Sequence, residues 1–366
     1  MQLHHAFVEN SSFMRTQLDF FGKMMRGKLA ADKERLLGSA LIQSFQLMVP
    51  VISTTFASVG SFLRNVGKET FGLLLVDEAG QALPQSAVGA IWRSEKCIIV
   101  GDPLQIEPVI TIHDKTIRFL KDVFHQSDFI ASKNTSVQSL ADYCNPYGGK
   151  RIYGEEELWI GAPLLIHGRC QKTVFDISNE IAYNNKMIYG TKDSERAVCE
   201  WINVQGDAEA GHFVLRQAEH VLQMVVRSFH TAGDITEMPS LFVITPFRSV
   251  KAGLVRYFTE KDRLIDSLNA GDDKKKRKIV NRWVYSNIGT IHTFQGKEAQ
   301  TVIICLGVDS GDKGYGAIQW ASERPNILNV AATRAKEQLY IVGDAEKWGH
   351  CGCFKTAYDI IKKAAK

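Results

Sequence analysis

Apolar residues recur at three- and four-residue spacings through the first 48 positions (Phe13, Leu18, Phe21, Met24, Met25, Leu29), with charges between them. This spacing predicts amphipathic helix. From MVPVIST onward the pattern changes to short apolar runs, each followed by polar or glycine-containing turns: VPVIS, LLLVD, CIIVG, LFVIT, IGTIH, TVIICLG and LYIVGD. Most are continuous rather than alternating, as in strands of a parallel sheet covered on both faces. Helical patterns separate them, notably at 213–230 and 249–262, and the alternation predicts an α/β architecture with parallel sheets. The strands form two groups, one ending near Val109 and the other starting after about residue 165, which predicts two lobes with a cleft between their sheets. The stretch 111–162 between them reads as a mixed connection with helical pieces and a loop at NPYGG, 145–149.

Composition narrows the class without naming it. A chain of 366 residues, 45% hydrophobic and 23% charged, has room for about two domains and a sizeable core. No apolar run approaches the roughly 18 residues of a membrane span. MQLHHAFVENSSFM lacks the basic, apolar and small-residue succession of a secretory signal. Seven scattered cysteines without a CxxC pair read as reduced thiols of a cytoplasmic protein, not as a zinc site. A net charge of +4 mildly favours a polyanionic partner. The KKKRK run at 274–278, after GDD, reads either as a solvated loop or as one that contacts phosphates.

Chemistry enters at LLLVDEAGQA, where a buried strand runs into Asp77 and Glu78. An aspartate at a strand's carboxyl end can hold Mg²⁺, and the adjacent glutamate can polarise an attacking water. A helix N-terminus also favours carboxylates, so the pair alone decides little. In CIIVGDPLQIEPV a second such strand ends at Gly101-Asp102, with Gln105 just beyond, whose amide can sense a terminal phosphate. PLLIHGRC presents Arg169, and NVAATRAKEQLYIVGD presents Arg334 immediately before a strand. Two arginines reaching a nucleotide from the second lobe would neutralise transition-state charge, although each taken singly is more often a surface salt-bridge partner. IGTIHTFQGKEAQTVIICLG joins two strands through a polar turn whose glycine permits close backbone approach to a ligand.

DEAGQA, GDPLQIEPV, HGRC, TPF, IHTFQGKE and NVAATRAK occur in the order and rough spacing of superfamily 1 helicase motifs II to VI. Over about residues 49–345 the chain resembles the C-terminal part of the helicases related to the nonsense-decay and Okazaki-processing enzymes, the AAA_12 group. The resemblance implies two RecA-like P-loop NTPase lobes, with 1–48 a helical segment of the first, 49–165 the remainder of domain 1A and 166–366 domain 2A. It implies ATP and Mg²⁺ as cofactors, and 5′-to-3′ movement on single-stranded DNA or RNA. On that resemblance Asp77 would hold Mg²⁺, Glu78 would activate water, and Asp102 would lie by the nucleotide. Gln105 would couple the terminal phosphate to the nucleic-acid channel, Arg169 and Arg334 would reach the phosphate, and Gly296 and Glu298 would lie by ribose and phosphates. Ser53, Thr54 and Thr55 from the first lobe, with Thr245, Arg248, His292 and Thr293 from the second, would touch the single-stranded backbone.

The phosphate loop, G-x-x-x-x-G-K-[ST] after a buried strand, has one near-match, GKMMRGKL at Gly22–Leu29. Leu29 stands where a hydroxyl is required, the preceding TQLDFF is a poor strand, and the surrounding pattern is helical, so the match reads as a decoy. The expectation is a first lobe incomplete at its N-terminus, with a strand edge left unpaired beside CIIV. The chain then reads as the C-terminal part of a helicase, with the loop on another chain or on a longer product. The alternative is a truncated or split nucleic-acid-binding fragment without ATPase activity of its own.

Overall fold

The computed structural model describes residues 2–102, 104–105, 108, 110, 112–127, 135–153, 156–231, 235–294, 296–309 and 314–365. The chain divides into two compact units, Met1–Pro103 with Glu107–Pro163, and Leu104–Ile106 with Leu164–Lys366.

The first unit opens with α1 (Gln2–Asn10), α2 (Ser12–Met25) and α3 (Ala31–Gln46). Ser11 caps α2 by accepting the Met14 N–H at 3.3 Å. The predicted helical spacing has a physical outcome: Phe21 of α2 stacks on Phe45 of α3 at 4.3 Å, beside buried Leu41 and Ile42. After α4 (Phe56–Phe62) come β1 (Phe71–Val76), α5 (Pro84–Trp92) and β2 (Ser94–Ile99). Arg93 ties α5 to α4, its guanidinium donating to the carbonyls of Leu63, Val66 and Gly89.

β1 and β2 pair in parallel, Leu74 opposite Cys97 and Val76 opposite Ile99, as a two-stranded sheet among the described residues. Burial on both faces, expected from the continuous apolar runs, does not hold here. Leu74 and Val76 pack into the helical core, while Leu73, Leu75 and Ile98 stay at least half exposed, because the unit's helices cover one face. The expected strand at VPVIS does not form, and residues 49–53 pair with no strand among the described residues. α6 (Asp114–Val123), α7 (Val137–Cys144) and an antiparallel hairpin, β3 (Gly149–Tyr153) with β4 (Glu156–Ile160), complete the unit. The mixed stretch 111–162 therefore contains a hairpin as well as its expected helical pieces.

The second unit begins with β5 (Ile166–His167), α8 (Lys172–Tyr183), β6 (Ile188–Tyr189) and β7 (Val198–Asn203). Then follow β8 (Ala208–Ala210), β9 (Phe213–Val214), α9 (Leu215–Thr231), β10 (Leu241–Thr245), α10 (Arg248–Thr259), α11 (Arg263–Ser267) and α12 (Lys274–Asn287). It ends with β11 (Ile288–Thr290), β12 (Ala299–Cys305), α13 (Tyr315–Glu323), α14 (Asn326–Ala332), β13 (Ala335–Gly343), α15 (Ala345–Trp348) and α16 (Gly352–Ala364). Its central sheet is wholly parallel, in the order β11-β10-β12-β13-β7. Here the burial prediction holds: Val243, Val302, Ile303, Leu339 and Ile341 are fully buried, between helices that include α9 and α14. β7, at the sheet edge, carries Cys199, Glu200, Trp201 and Ile202, an interrupted apolar run that the sequence pattern does not isolate. The second unit thus has the α/β architecture expected, a parallel sheet packed against helices.

KKKRK is the first turn of α12, not a loop, and Asp273 caps it by accepting the Lys275 and Lys276 N–H groups. All seven cysteines are free thiols. Among the described residues no helix is long and apolar enough to cross a membrane.

Candidate functional site

In the first unit, the carboxyl ends of β1 and β2 lie side by side. Val100 N–H donates to the Val76 carbonyl at 2.8 Å, and Ala79 N–H donates to the Val100 carbonyl at 2.9 Å. The two turns beyond the strands therefore touch backbone to backbone, and they carry Asp77, Glu78 and Asp102. The contact requires glycine at two places. A Cβ on Gly101 would stand 2.6 Å from the Gly80 nitrogen, and one on Gly80 would stand 2.8 Å from the Asp102 carbonyl oxygen. Gly101→Ala must force these turns apart, with an expected cost of about 1–3 kcal/mol. Faster hydrogen exchange at the β1 and β2 amides, with the second unit's amides unchanged, is the expected reading. Wild-type protection would show that the turns have room to give.

Asp77 is exposed, and its Oδ1 accepts the Glu78 N–H at 2.9 Å. Glu78 takes the left-handed conformation, φ 54° and ψ 37°, which costs a non-glycine residue about 1–2 kcal/mol. Its Oε2 accepts from Gln81 Nε2 at 2.7 Å. Sequence reading did not single out Gln81 as a partner. The signal was its spacing, because residues i and i+3 eclipse across the 3₁₀ turn Ala79–Gln81. Among the described residues no group of three or more His, Cys, Asp or Glu is arranged to hold a metal. A lone exposed carboxylate with a second carboxylate beside it suits Mg²⁺ that arrives on phosphates and keeps its waters.

In the second unit, Gln105, Arg169, Glu298 and Arg334 come together at the amino ends of β12 and β13. The Arg334 guanidinium is 2% exposed. Its Nε donates to the Val330 carbonyl, Nη1 to the Lys297 carbonyl and Nη2 to Gln105 Oε1, each at 3.2 Å. Gln105 is fixed from a second side, since Asn326 Nδ2 donates to its carbonyl. Buried Asn329 donates to the Leu104 carbonyl and the Tyr183 hydroxyl and accepts from Ser178, tying the segment 104–105 to α14 and α8. Glu298 receives Arg169 Nε at 3.1 Å and the Lys336 ammonium. The Lys336 hydrogen bond, with Lys336, Arg169 and Arg334 charges nearby, holds the Glu298 carboxyl below its usual range. Lys336 was also missed: it is the second residue of β13, whose Ala335 pairs with Ala299 beside Glu298, and nothing local in the sequence signals that pairing.

The HGRC turn explains how Arg169 is aimed. Cys170 N–H donates to His167 Nε2 at 3.0 Å, which requires a neutral imidazole. Burial, then the neighbouring Arg169 charge, pushes the His167 pKa down. The Cys170 thiol packs at 3.7 Å from the Thr333 carbonyl, and burial pushes its pKa up to about 12, so it is a structural thiol rather than a nucleophile.

A third group lies at the opposite, carboxyl edge of the same sheet, where Thr245 of β10 pairs with Thr290 of β11. Arg248 is exposed at the start of α10. His292 lies close enough for desolvation and the Arg248 charge to lower its pKa, and Thr293 is half-buried beside it. Thr245 departs from its expected role in touching a strand: it is fully buried, and its hydroxyl accepts the Phe247 N–H at 3.3 Å, so it shapes the turn that presents Arg248. Ser53, Thr54 and Thr55 are exposed in the first unit, just before α4.

Residues 291–298 run from the carboxyl end of β11 back to the amino end of β12, so one short connection carries His292, Thr293, Gly296 and Glu298. Gly296 has φ +68°, which favours glycine. Gln295 of this connection, and Pro103, Ile106, Glu107 and Val109 of GDPLQIEPV, lie outside the described residues. Gly22–Leu29 is not a strand-to-helix loop: Gly22, Lys23, Met24 and Met25 form the last turn of α2, and Gly27 and Lys28 follow in the turn that ends it. The N–H groups of Arg26, Gly27 and Lys28 are taken up by the carbonyls of Gly22, Met24 and Lys23, so the segment does not fit as a phosphate cradle.

The AAA_12 family, described as an AAA domain, matches residues 162–346, and AAA_11, also an AAA domain, matches residues 22–112. An uncharacterized ATP-dependent helicase of Mycoplasma genitalium is 24% identical over 302 residues, covering 80% of this chain and 24% of that protein. The DNA-binding protein SMUBP-2 of Rattus norvegicus is 23% identical over 346 residues, covering 93% of this chain and 31% of its own length. The DNA replication ATP-dependent helicase/nuclease DNA2 of Saccharomyces cerevisiae is 21% identical over 331 residues, covering 86% of this chain and 20% of its own length. The chain thus spans between a fifth and a third of the length of these curated relatives.

Proposed function

Because the chain belongs to the AAA_12 family of superfamily 1 helicases, we propose that it is the part of an ATP-driven motor that carries motifs II to VI, moving 5′-to-3′ along single-stranded DNA or RNA. The observation that carries this reading is the 291–298 connection. A motor must tie the groups that sense phosphate to the groups that hold the strand, and here Glu298 and Thr293 share eight residues of backbone. In this reading Asp77 and Asp102 stand by Mg²⁺ and the nucleotide, and Glu78, oriented by Gln81, activates water. Arg169 and Arg334 offset phosphate charge, Gln105 reports the terminal phosphate through its bond to Arg334, and Gly296 and Glu298 lie by the ribose. Ser53, Thr54, Thr55, Arg248, His292 and Thr293 contact the strand's backbone.

Bound ATP would supply the scissile phosphoanhydride, and its cradle would come from a segment other than Gly22–Leu29. That Gly22–Leu29 is a helix end and turn also favours a second reading, a nucleic-acid-binding portion without hydrolysis of its own. Steady-state ATP hydrolysis, with and without single-stranded DNA or RNA, separates the two when run beside Lys28→Ala. Strand-stimulated turnover that Lys28→Ala leaves within about twofold is the expected result. Strand binding without turnover selects the second reading. Turnover abolished by Lys28→Ala would sink the assignment of the cradle to another segment.

A further inference from the structure

α12 carries more positive charge than its own stability favours. Lysines 274, 275 and 276 crowd the helix N-terminus, where each cation costs about 0.3–1 kcal/mol against the helix dipole. Asp273 caps the turn and Asp262 takes the Arg277 guanidinium, which leaves the exposed face of the helix basic. That face reads Lys274, Lys278, Arg282, Tyr285 at three- and four-residue spacings over about 16 Å. The opposite face, with Val280, Trp283 and Val284, is buried in the core. Tyr285 is 66% exposed, so the core does not require it.

Tyr285 also forms one wall of a cavity of about 730 Å³. The other walls come mainly from one face of α10, with Arg248, Lys251 and Arg256, and from Thr290 at the end of β11. The cavity therefore abuts the strand edge at which Arg248, His292 and Thr293 sit. A pocket of this size with cations around one open aromatic ring matches the chemistry of a single strand, in which phosphates meet the cations and a base lies on the ring. An acidic peptide would use the cations without the ring.

We propose that the α10–α12 face is a further nucleic-acid subsite, in which a base stacks on Tyr285, phosphates meet Lys251 and Arg256, and the strand continues along the Lys278–Arg282 stripe. This rests on the single-strand reading above and extends it to residues that no motif contains. Stacking and phosphate contacts carry no base identity, so the subsite adds affinity and path rather than sequence preference.

The test is fluorescence anisotropy of labelled oligo-dT and oligo-rU over a salt series. Tyr285→Ala is expected to weaken binding about 5- to 150-fold, the equivalent of one base stack, while Tyr285→Phe stays within about twofold of wild type. Lys251→Gln with Arg256→Gln is expected to lower the slope of log affinity against log salt by about 1.4, two phosphates' worth, and Lys278→Gln with Arg282→Gln by a similar amount. Thr293→Val, outside the cavity, reports on the strand edge alone. If Thr293→Val weakens binding while the Tyr285 and charge variants bind like wild type, the subsite is wrong and the single-strand reading stands. If the wild-type chain binds neither oligonucleotide, that reading fails and the subsite fails with it.

Discussion

Arg334→Ala is expected to destabilise the second unit by about 2–5 kcal/mol, the largest loss of stability among the site residues. The guanidinium is 2% exposed and at least three of its five N–H groups are engaged, by Val330, Lys297 and Gln105. Truncation leaves buried acceptors without donors, at about 1–3 kcal/mol each when unrelieved, and opens a cavity. Hydrogen exchange at the β12 and β13 amides is the direct readout. Lysine is no remedy, because one ammonium cannot serve three acceptors placed for a planar fork. Arg169 makes the contrast. It is 43% exposed and paired with Glu298 near the surface, so Arg169→Ala should leave stability within about 1 kcal/mol of wild type. The two arginines read as equals in the sequence. Their burial predicts that Arg334 holds Gln105 and the 291–298 connection in place, while Arg169 is the better presented to a phosphate. Equal exchange protection in both alanine variants would refute that division.

What could be read from the sequence followed from how local each determinant is. The strands of the second unit announced themselves because burial on both faces selects continuous apolar runs, and Leu241–Thr245 and Ala299–Cys305 formed where LFVIT and TVIICLG lay. The turn at Asp77-Glu78 was legible because a strand end and a pair of acids sit within ten residues. Long-range partnerships were not. Nothing near Gln105 indicates that it bonds to a residue 229 positions away, nor does HGRC show that His167 must stay neutral to accept the Cys170 N–H. Burial of Thr245 was hidden for the same reason: a threonine after an apolar strand looks alike whether its hydroxyl meets a ligand or closes its own turn. Leu73 and Leu75 were misread because an apolar run reports what a strand can bury, not whether a second layer is present.

Glu78→Gln is expected to lower strand-stimulated ATP hydrolysis by about 10²- to 10⁴-fold, the range for loss of a general base. The substitution keeps the shape of the side chain and removes its charge. Gln81 can still donate to the amide oxygen, and the left-handed backbone is unchanged, so the turn that carries Asp77 should stay in place. Nucleotide and strand affinity should therefore remain within about threefold of wild type while turnover falls. Glu78→Gly separates strain from chemistry. It removes the carboxylate and also relieves the left-handed penalty of about 1–2 kcal/mol, so β1 and β2 should become better protected from exchange as activity is lost. A residue kept for stability would behave in the opposite way, losing protection on substitution and leaving turnover proportional to the folded fraction. Turnover in Glu78→Gln equal to wild type would remove Glu78 from the chemistry, and Asp102, across the same backbone contact, would be the carboxylate to examine next.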